Sequence, residues 1–475
     1  MFCSLLGDEQ IQRIHQASLD ILERVGVVVP HQDMLGRLED AGAAVDWQAQ
    51  RARLPGECVE HLVARAGRSF TLYGRDLAHA ADFGRGKRNI NSAAGEAYWV
   101  DEPGGNRRYA SLRDVETASR FADALPNVQI VGAMSDPHEL PVATRCIEVL
   151  AAQIRHTTKP VTFWYHNRAA ARFINEILIA LRGSEERASA YPLCYPFLEP
   201  ISPLRFPHDG IDLLYETSRL NLPVPVGPMA QMGMSAPMSL AGTMAQENAE
   251  ILAGIVMTQL IRPGMPVCYG GICHAFDMQT TQLVFSGPEQ ALFSVAMTQM
   301  GKHYGLPVYI NAGLTDAKRP DAQAGLEAGI TLAWGAAAGA DIFGHAGISG
   351  VDQASSLDML VLQNEIVGYV ERTFRPVDVS DDALGLDLIE EVGPGGSFID
   401  SAHTVRRFRS ELWFPQLLDR RFYEAWRNDS ASSLEERCAR RKAEILANHR
   451  VEPVDADLDK ALTGIVQAAR RELLP

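Results

Sequence analysis

The sequence predicts an α/β fold, a (β/α)8 TIM barrel with an N-terminal α+β cap and a helical C-terminal extension. Three observations predict it. From residue 126 onward, apolar runs of strand length alternate with amphipathic stretches of helical period. Eight such runs occur, the repeat number of a closed parallel barrel, whose strands are buried on both faces and so read as apolar throughout. No G-x-G-x-x-G or Walker A pattern follows an early strand, as an open doubly wound sheet would require.

The elements follow in order. Over 8–26, Ile11, Ile14, Leu19, Leu22 and Val25 recur at helical spacing, with Asp8 near the start and Gly26 at the end. MLGRLEDAG predicts a second helix. SFTLYGRD and RNINSAAGEAYWVDEPGGNRRYA carry short strand candidates, with Pro103-Gly104-Gly105-Asn106 as a hairpin turn. Residues 1–125 are therefore assigned to the cap. The barrel, 126–430, takes its strands from 127–137, 159–166, 191–204, 223–232, 266–277, 306–316, 340–347 and 395–404. Helices are predicted at 142–156, 169–182, 209–220, 238–261, 287–303, 321–337 and 356–373, and a last one at 405–427. Residues 431–475 alternate charge at helical spacing and form the extension, its arginines read as a solvated helix face.

The chain has 475 residues, with 44 Lys+Arg against 59 Asp+Glu and a net charge of -15. That balance excludes a duplex-binding protein, which needs a basic face to neutralise phosphates. Seven cysteines are scattered without a C-x-x-C, the usage of a reducing compartment, and Cys268 and Cys273 read as small buried hydrophobes. The N-terminus lacks a basic, apolar leader, and the most apolar stretch, 251–261, is too short to span a bilayer. A cytoplasmic protein with no nucleic-acid or membrane partner is expected.

Barrel chemistry sits at the carboxyl ends of the strands. The polar residues there are Ser135 and Asp136; Trp164, Tyr165 and His166; Glu199 and Ser202; Gln231; His274 and Asp277; Asn311 and Asp316; His345; and Asp400, His403 and Thr404. Trp164 and Tyr165 carry ring faces that attract quaternary ammonium groups, although rim packing explains them equally well. His345 in FGHAGISG is flanked by glycines that admit close approach of a ligand. Asp316 and Lys318 are equally readable as a structural pair. Strand-end histidines without a C-x-x-C are too weak a signal for zinc, so no metal is assigned, and no G-x-S-x-G elbow is present. The residues support a barrel enzyme for a small polar or cationic substrate and leave the reaction open.

The run GPMAQMGMSAPMSLAGTMAQENAEILAGIVMTQLIRPGMPVCYGG, then DMQTTQLVFSGPEQALFSVAMTQMGKHYGLPV and LTDAKRPDAQAGLEAG, resembles the trimethylamine methyltransferase family. LQNEIVGYVERTF, GGSFIDSAHTVRRFRSELWFPQLLDRRFYEAW and the early GRDLAHAADFG extend the resemblance over nearly the whole chain. It implies transfer of a methyl group from an amine to the Co(I) centre of a separate corrinoid protein. No cofactor is then bound directly; the cobalamin is carried by the partner. Trimethylamine enzymes of the family carry pyrrolysine in the barrel, whereas this sequence runs through its strands in ordinary residues. The resemblance therefore implies the non-pyrrolysine branch, whose substrates are quaternary amines such as glycine betaine, proline betaine or carnitine. It also implies a homo-oligomer. On this footing Trp164 and Tyr165, with Phe276, are expected to form a cation cage. His345 and His274 are assigned with Asp277 to the catalytic site, the histidines bonding a substrate carboxylate or facing the corrinoid. Glu199, Asp277 or Asp316 supply compensating charge, and His166, Gln231 and Asn311 complete the substrate site. Two other readings remain open: a demethylase of another N-, O- or S-methyl compound, and a non-catalytic quaternary-amine binding protein.

Overall fold

The computed structural model describes residues 3–101 and 106–475. Its centre is a curled parallel sheet in an α/β fold. Five strands lie in the order Val224–Val226, Val267–Gly271, Val308–Ile310, Ile342–Ala346, Asn89–Ser92, all parallel. Past one edge Asn91 bridges Ile130 in parallel, beside the parallel pair Val131–Gly132 and Val161–Thr162. Past the other, Leu198 bridges Val226 in parallel, and the Val161 amide donates to the Leu193 carbonyl at 3.1 Å. The expected run 191–204 thus contributes an extended segment with one bridge and no regular strand.

Helices flank the sheet close to where periodicity places them: Val142–His156, Arg168–Arg182, His208–Thr217, Leu240–Ile261, Pro288–His303, Ala322–Ala338 and Leu357–Thr373. Leu240–Ile261 is buried on nearly every side, because helices Asp8–Arg24 and Gly56–Ala64 cover the face turned from the sheet. Lys159 fixes the approach to strand Val161–Thr162. Its ammonium donates to the carbonyls of Ala122, Leu125 and Val128 at 3.2, 2.7 and 2.8 Å, and burial pulls its pKa down to about 8. The C-terminal helices Leu434–Asn448 and Ala456–Leu473 are docked by the ion pairs Lys442–Asp358 and Arg470–Glu148 and by buried Leu462 and Ala469.

Two expectations are corrected. Residues 395–404 form no strand: 395–400 are exposed, and Ser401 caps a helix, Ala402–Glu411, by accepting the Thr404 amide at 3.1 Å. Its apolar residues, Phe398 and Ile399, have no sheet to pack on. The predicted helix 405–427 is likewise broken into Ala402–Glu411 and Tyr423–Asn428. The strand beside Ile342–Ala346 is instead Asn89–Ser92, from the stretch assigned to the cap. Its polar side chains mask it in the sequence but are satisfied in place. The Asn89 amide donates to the Asp82 and Asp341 carbonyls at 2.7 and 3.0 Å, and the Ser92 hydroxyl accepts the Gly132 amide at 2.7 Å.

The rest of the stretch 1–125 serves both ends of the sheet. The hairpin Phe70–Tyr73/Ala80–Phe83 packs Phe70, Leu72 and Phe83 with Tyr195, Cys268, Tyr309 and Ile342, and Gly84 N–H donates to Asp341 at the amino end of its strand. At the carboxyl end, Tyr98–Val100 pairs in parallel with Ala354–Ser355 and antiparallel with Arg107–Tyr109. Residues 103–105 of the expected turn lie outside the described residues. All seven cysteines are free. Among the described residues, no helix is long and apolar enough to cross a membrane.

Candidate active site

At the carboxyl ends of the strands four rings form a closed circuit. Trp164 meets Phe197 edge-on at 6.2 Å between centroids, Phe197 meets Tyr309 at 5.4 Å, Tyr309 meets His345 at 6.1 Å, and His345 meets Trp164 at 6.1 Å. Tyr309 is buried; the other three keep an accessible face. Each ring has a local reason for its position. The Trp164 indole N–H donates to the Gly95 carbonyl at 2.9 Å. Phe197 lies where a β-carbon on Gly227 would stand 2.6 Å from its ring, and a β-carbon on Gly344 would overlap the Tyr309 hydroxyl. His345 adopts a left-handed backbone, φ 71°, at the end of its strand.

Beside the rings lie three carboxylates. Strand pairing brings Glu96, just before Tyr98–Val100, toward Asp352, in the turn between Ile348–Ser349 and Ala354–Ser355. That turn carries three consecutive left-handed residues, Gly350, Val351 and Asp352, at φ 67°, 62° and 57°, a costly geometry for a β-branched valine. Glu96 is only 8% exposed; burial, then Asp352, Glu199 and Asp136, drive its pKa well above the carboxylate range. Burial, then Glu199, raises Asp352 to about 7. Burial of its carboxyl raises Glu199 to about 7 as well, while the residue keeps an exposed surface on an open cavity. None of these three side chains has a hydrogen-bond donor or ion-pair partner among the described residues. The neighbouring cation is already engaged: Arg145 donates to Asp136 at 2.6 Å and to the Leu140 carbonyl at 3.2 and 3.0 Å.

The cavity, about 480 Å3, is lined by Tyr165, His166, Phe197, Glu199, Met229, Gln231 and Met234, among others. Its wall is braced from the helix Leu240–Ile261. Glu247 accepts the Ala230 and Ile272 amides at 3.1 and 2.6 Å, and Glu250 accepts the Ser202 hydroxyl at 2.6 Å and the Leu204 amide at 2.8 Å.

The expected residues divide into those brought together and those set apart. Trp164, His345 and Glu199 converge, and His166 and Gln231 line the cavity, His166 bonding the Val142 carbonyl at 3.0 Å. Tyr165 lines the cavity but stacks on Phe163 at 4.8 Å and contacts Cys194 through its hydroxyl, outside the four-ring circuit. Phe276, on a hairpin with Gln282–Val284, makes no contact with the circuit. His274 is fully buried, stacked on Phe285 at 4.7 Å, with Nε2 3.1 Å from the Asn311 amide nitrogen; burial lowers its pKa to about 3 and that of His345 to about 4. Both imidazoles are therefore neutral near pH 7. Asp277 is solvated and turned to its own loop, accepting from Gln279 N–H and Thr280 OH at 2.8 Å each. Asp316 accepts the Phe285 and Ser286 amides at 2.9 and 3.3 Å and anchors that hairpin, while Lys318 donates to its carbonyl. His403 bonds the Asp382 carbonyl and Thr404 donates to the Phe398 carbonyl; both lie with Asp400 on the exposed 375–430 segment, outside the lining of the cavity.

Four residues escaped the sequence reading. Phe197 and Tyr309 sit inside expected strands and passed for core. Glu96 was hidden in the cap, and Asp352 follows the glycine-rich FGHAGISG, the one signal that could have drawn attention to it. Among the described residues, no group of three His, Cys, Asp or Glu side chains is placed to hold a metal ion. Ring faces next to unpaired carboxylates are the environment of an organic cation.

The family model for trimethylamine methyltransferase (MTTB) matches residues 1–474. The glycine betaine methyltransferase of Desulfitobacterium hafniense (strain Y51) is 29% identical over 472 residues, covering 99% of this chain and 98% of that protein. Trimethylamine methyltransferase MttB of Methanosarcina thermophila is 30% identical over 477 residues, 96% and 95% of the two chains. The crystal structure of the Methanosarcina barkeri monomethylamine methyltransferase (MtmB) superposes with a TM-score of 0.56 at 9% identity, covering 99% of this chain and 89% of that one, and shares the fold.

Proposed function

Because the chain belongs to the trimethylamine methyltransferase family, a family of methyltransferases, we propose that it removes a methyl group from a quaternary amine held at the four-ring circuit and passes it to a corrinoid protein. The observation that carries this reading is Glu96: a carboxyl group buried without a partner, beside Glu199, Asp352 and the rings of Trp164, Phe197, Tyr309 and His345. An unpaired buried carboxylate is costly, and an ammonium cation in the adjacent space removes that cost.

A quaternary nitrogen already bears its charge, so the tertiary amine leaves with the C–N electron pair and needs no acid. The chain therefore has to bind, orient and dry the cation. The rings and carboxylates hold the nitrogen, with one methyl turned toward the cavity mouth at Gln231–Ser235. The reduced corrinoid, when its carrier protein brings it there, supplies the nucleophile that accepts the methyl group. The mouth suits such a visitor. Ile201, Met234, Met238 and Met278 expose large apolar side chains around it, and methionine adapts readily to a docking surface. His345 and His274, both neutral, act as uncharged positioning groups in this reading.

The parallel bridges at both edges of the curled sheet support reading it as a complete eight-stranded barrel beginning at Asn89 rather than at 126. The exposed apolar side chains of 377–423, with Phe422 91% exposed, support a homo-oligomer, which light scattering on the purified protein tests. The activity is tested by anaerobic incubation with a Co(I) corrinoid protein and a panel of methylated amines. Amine-dependent loss of the Co(I) absorbance is expected. Loss of the Co(I) absorbance with none of the amines overturns the proposal.

A further inference from the structure

The cavity carries no positive group that could receive an anion. Glu199 and Asp209 are the carboxylates of its lining, and Glu96 and Asp352 are close enough to Glu199 to interact with it electrostatically, with no cation paired to any of these three among the described residues. The Arg145 guanidinium is spent on Asp136 and the Leu140 carbonyl. Arg107 and Lys318 turn to Gln353 at 2.8 Å and to the Asp316 carbonyl at 2.8 Å on the exposed side, Arg168 donates to Asp212 at 3.2 Å, and Arg205 is exposed and outside the cavity's lining. His345 and His274 are neutral, and His166 directs Nδ1 to the Val142 carbonyl at 3.0 Å. A substrate carboxylate within reach of the rings would thus face other carboxylates with nothing to pair it.

Resting on the reading of the cavity as a methylated-amine site, we propose that it selects a quaternary ammonium bearing no carboxylate, a net monocation with alkyl or hydroxyalkyl substituents, and discriminates against zwitterionic betaines. Two observations meet here: a circuit of four rings, three of them with accessible faces, which binds an onium group of either kind, and a buried carboxylate without a partner, which distinguishes a monocation from a zwitterion. Attraction to the onium and repulsion of the anion act together, so the discrimination includes a repulsive element.

The test is calorimetric titration of the full chain at pH 8 with choline, with glycine betaine, and with the neutral choline isostere 3,3-dimethylbutan-1-ol. Choline and glycine betaine differ only in a hydroxymethyl against a carboxylate. Choline is expected to bind at least about tenfold more tightly than glycine betaine, a conservative figure for one like-charge contact in a walled site. The neutral isostere is expected not to bind measurably. Glu199→Gln, at the open side of the cavity where folding tolerates it, is expected to narrow the choline preference severalfold, and Asp352→Asn likewise. Glycine betaine binding as tightly as choline overturns the inference and leaves the amine-site reading standing. Failure of both onium compounds to bind overturns the two together.

Discussion

Binding of a cation at this site should release protons, and the size of the effect follows from the carboxyl groups. In the empty site Asp352 and Glu199 each titrate near 7, so at pH 6 both are mostly protonated, and burial raises Glu96 as well. A bound ammonium favours the ionised forms and draws these pKa values down. Affinity must therefore rise with pH and level off above 7, the sign opposite to that of a site that accepts an anion. Each carboxyl with an empty-state pKa of 7 that ionises on binding contributes about tenfold in Kd between pH 6 and pH 8. Asp352 sets this lower limit; Glu199, open to cavity water, adds a smaller factor. The groups titrate as a set, so the expected total lies between about tenfold and a hundredfold. The other charged neighbours do not blur the result. His345 and His274 titrate near 4 and 3, below the window, and Asp136 stays paired with Arg145. Calorimetric titration of choline at pH 6, 7 and 8, in buffers of different ionisation enthalpy, measures both Kd and proton release. A Kd independent of pH, with no protons released at pH 6, would refute the carboxylate account.

Further outcomes follow from the same geometry. Trp164→Ala removes a cage face and the bond to Gly95, and should weaken choline binding about tenfold or more, while Trp164→Phe recovers part of the loss; equal losses in both would assign the effect to the N–H rather than the ring face. Gly344→Ala forces Tyr309 out of the circuit, so onium binding should fall with the far-ultraviolet circular dichroism unchanged. Asp352→Asn should raise the thermal midpoint of the ligand-free protein at pH 8 but not near pH 4: a carboxyl raised to about 7 by folding destabilises the folded state increasingly as pH climbs from its unfolded value through 7. Lys159→Met leaves three buried carbonyls without a donor and should cost about 3 kcal/mol or more in chemical denaturation.

Much of the fold was legible because helical periodicity and buried parallel strands leave strong local signals. Seven helices from Val142 to Thr373 lie within a few residues of their expected places, and the strand-end rule led to Trp164, Glu199 and His345. The failures have physical causes. Asn89–Ser92 reads as a loop because its polarity is compensated only by distant partners, Asp341 and Gly132. GGSFIDSAHT reads as a strand because a short apolar run does not reveal whether a sheet edge awaits it.

The sequence by itself determined the chain's family, the β/α alternation and the strand ends where chemistry collects, because these are written in local pattern and in long shared segments. Only the tertiary structure decided which polar groups lack partners. Glu96 and Asp352 are 256 residues apart, and nothing local to either marks it as unusual. Parallel pairing of Tyr98–Trp99 with Ala354–Ser355 brings them together, and the loss of solvent around them raises the pKa of both carboxyl groups.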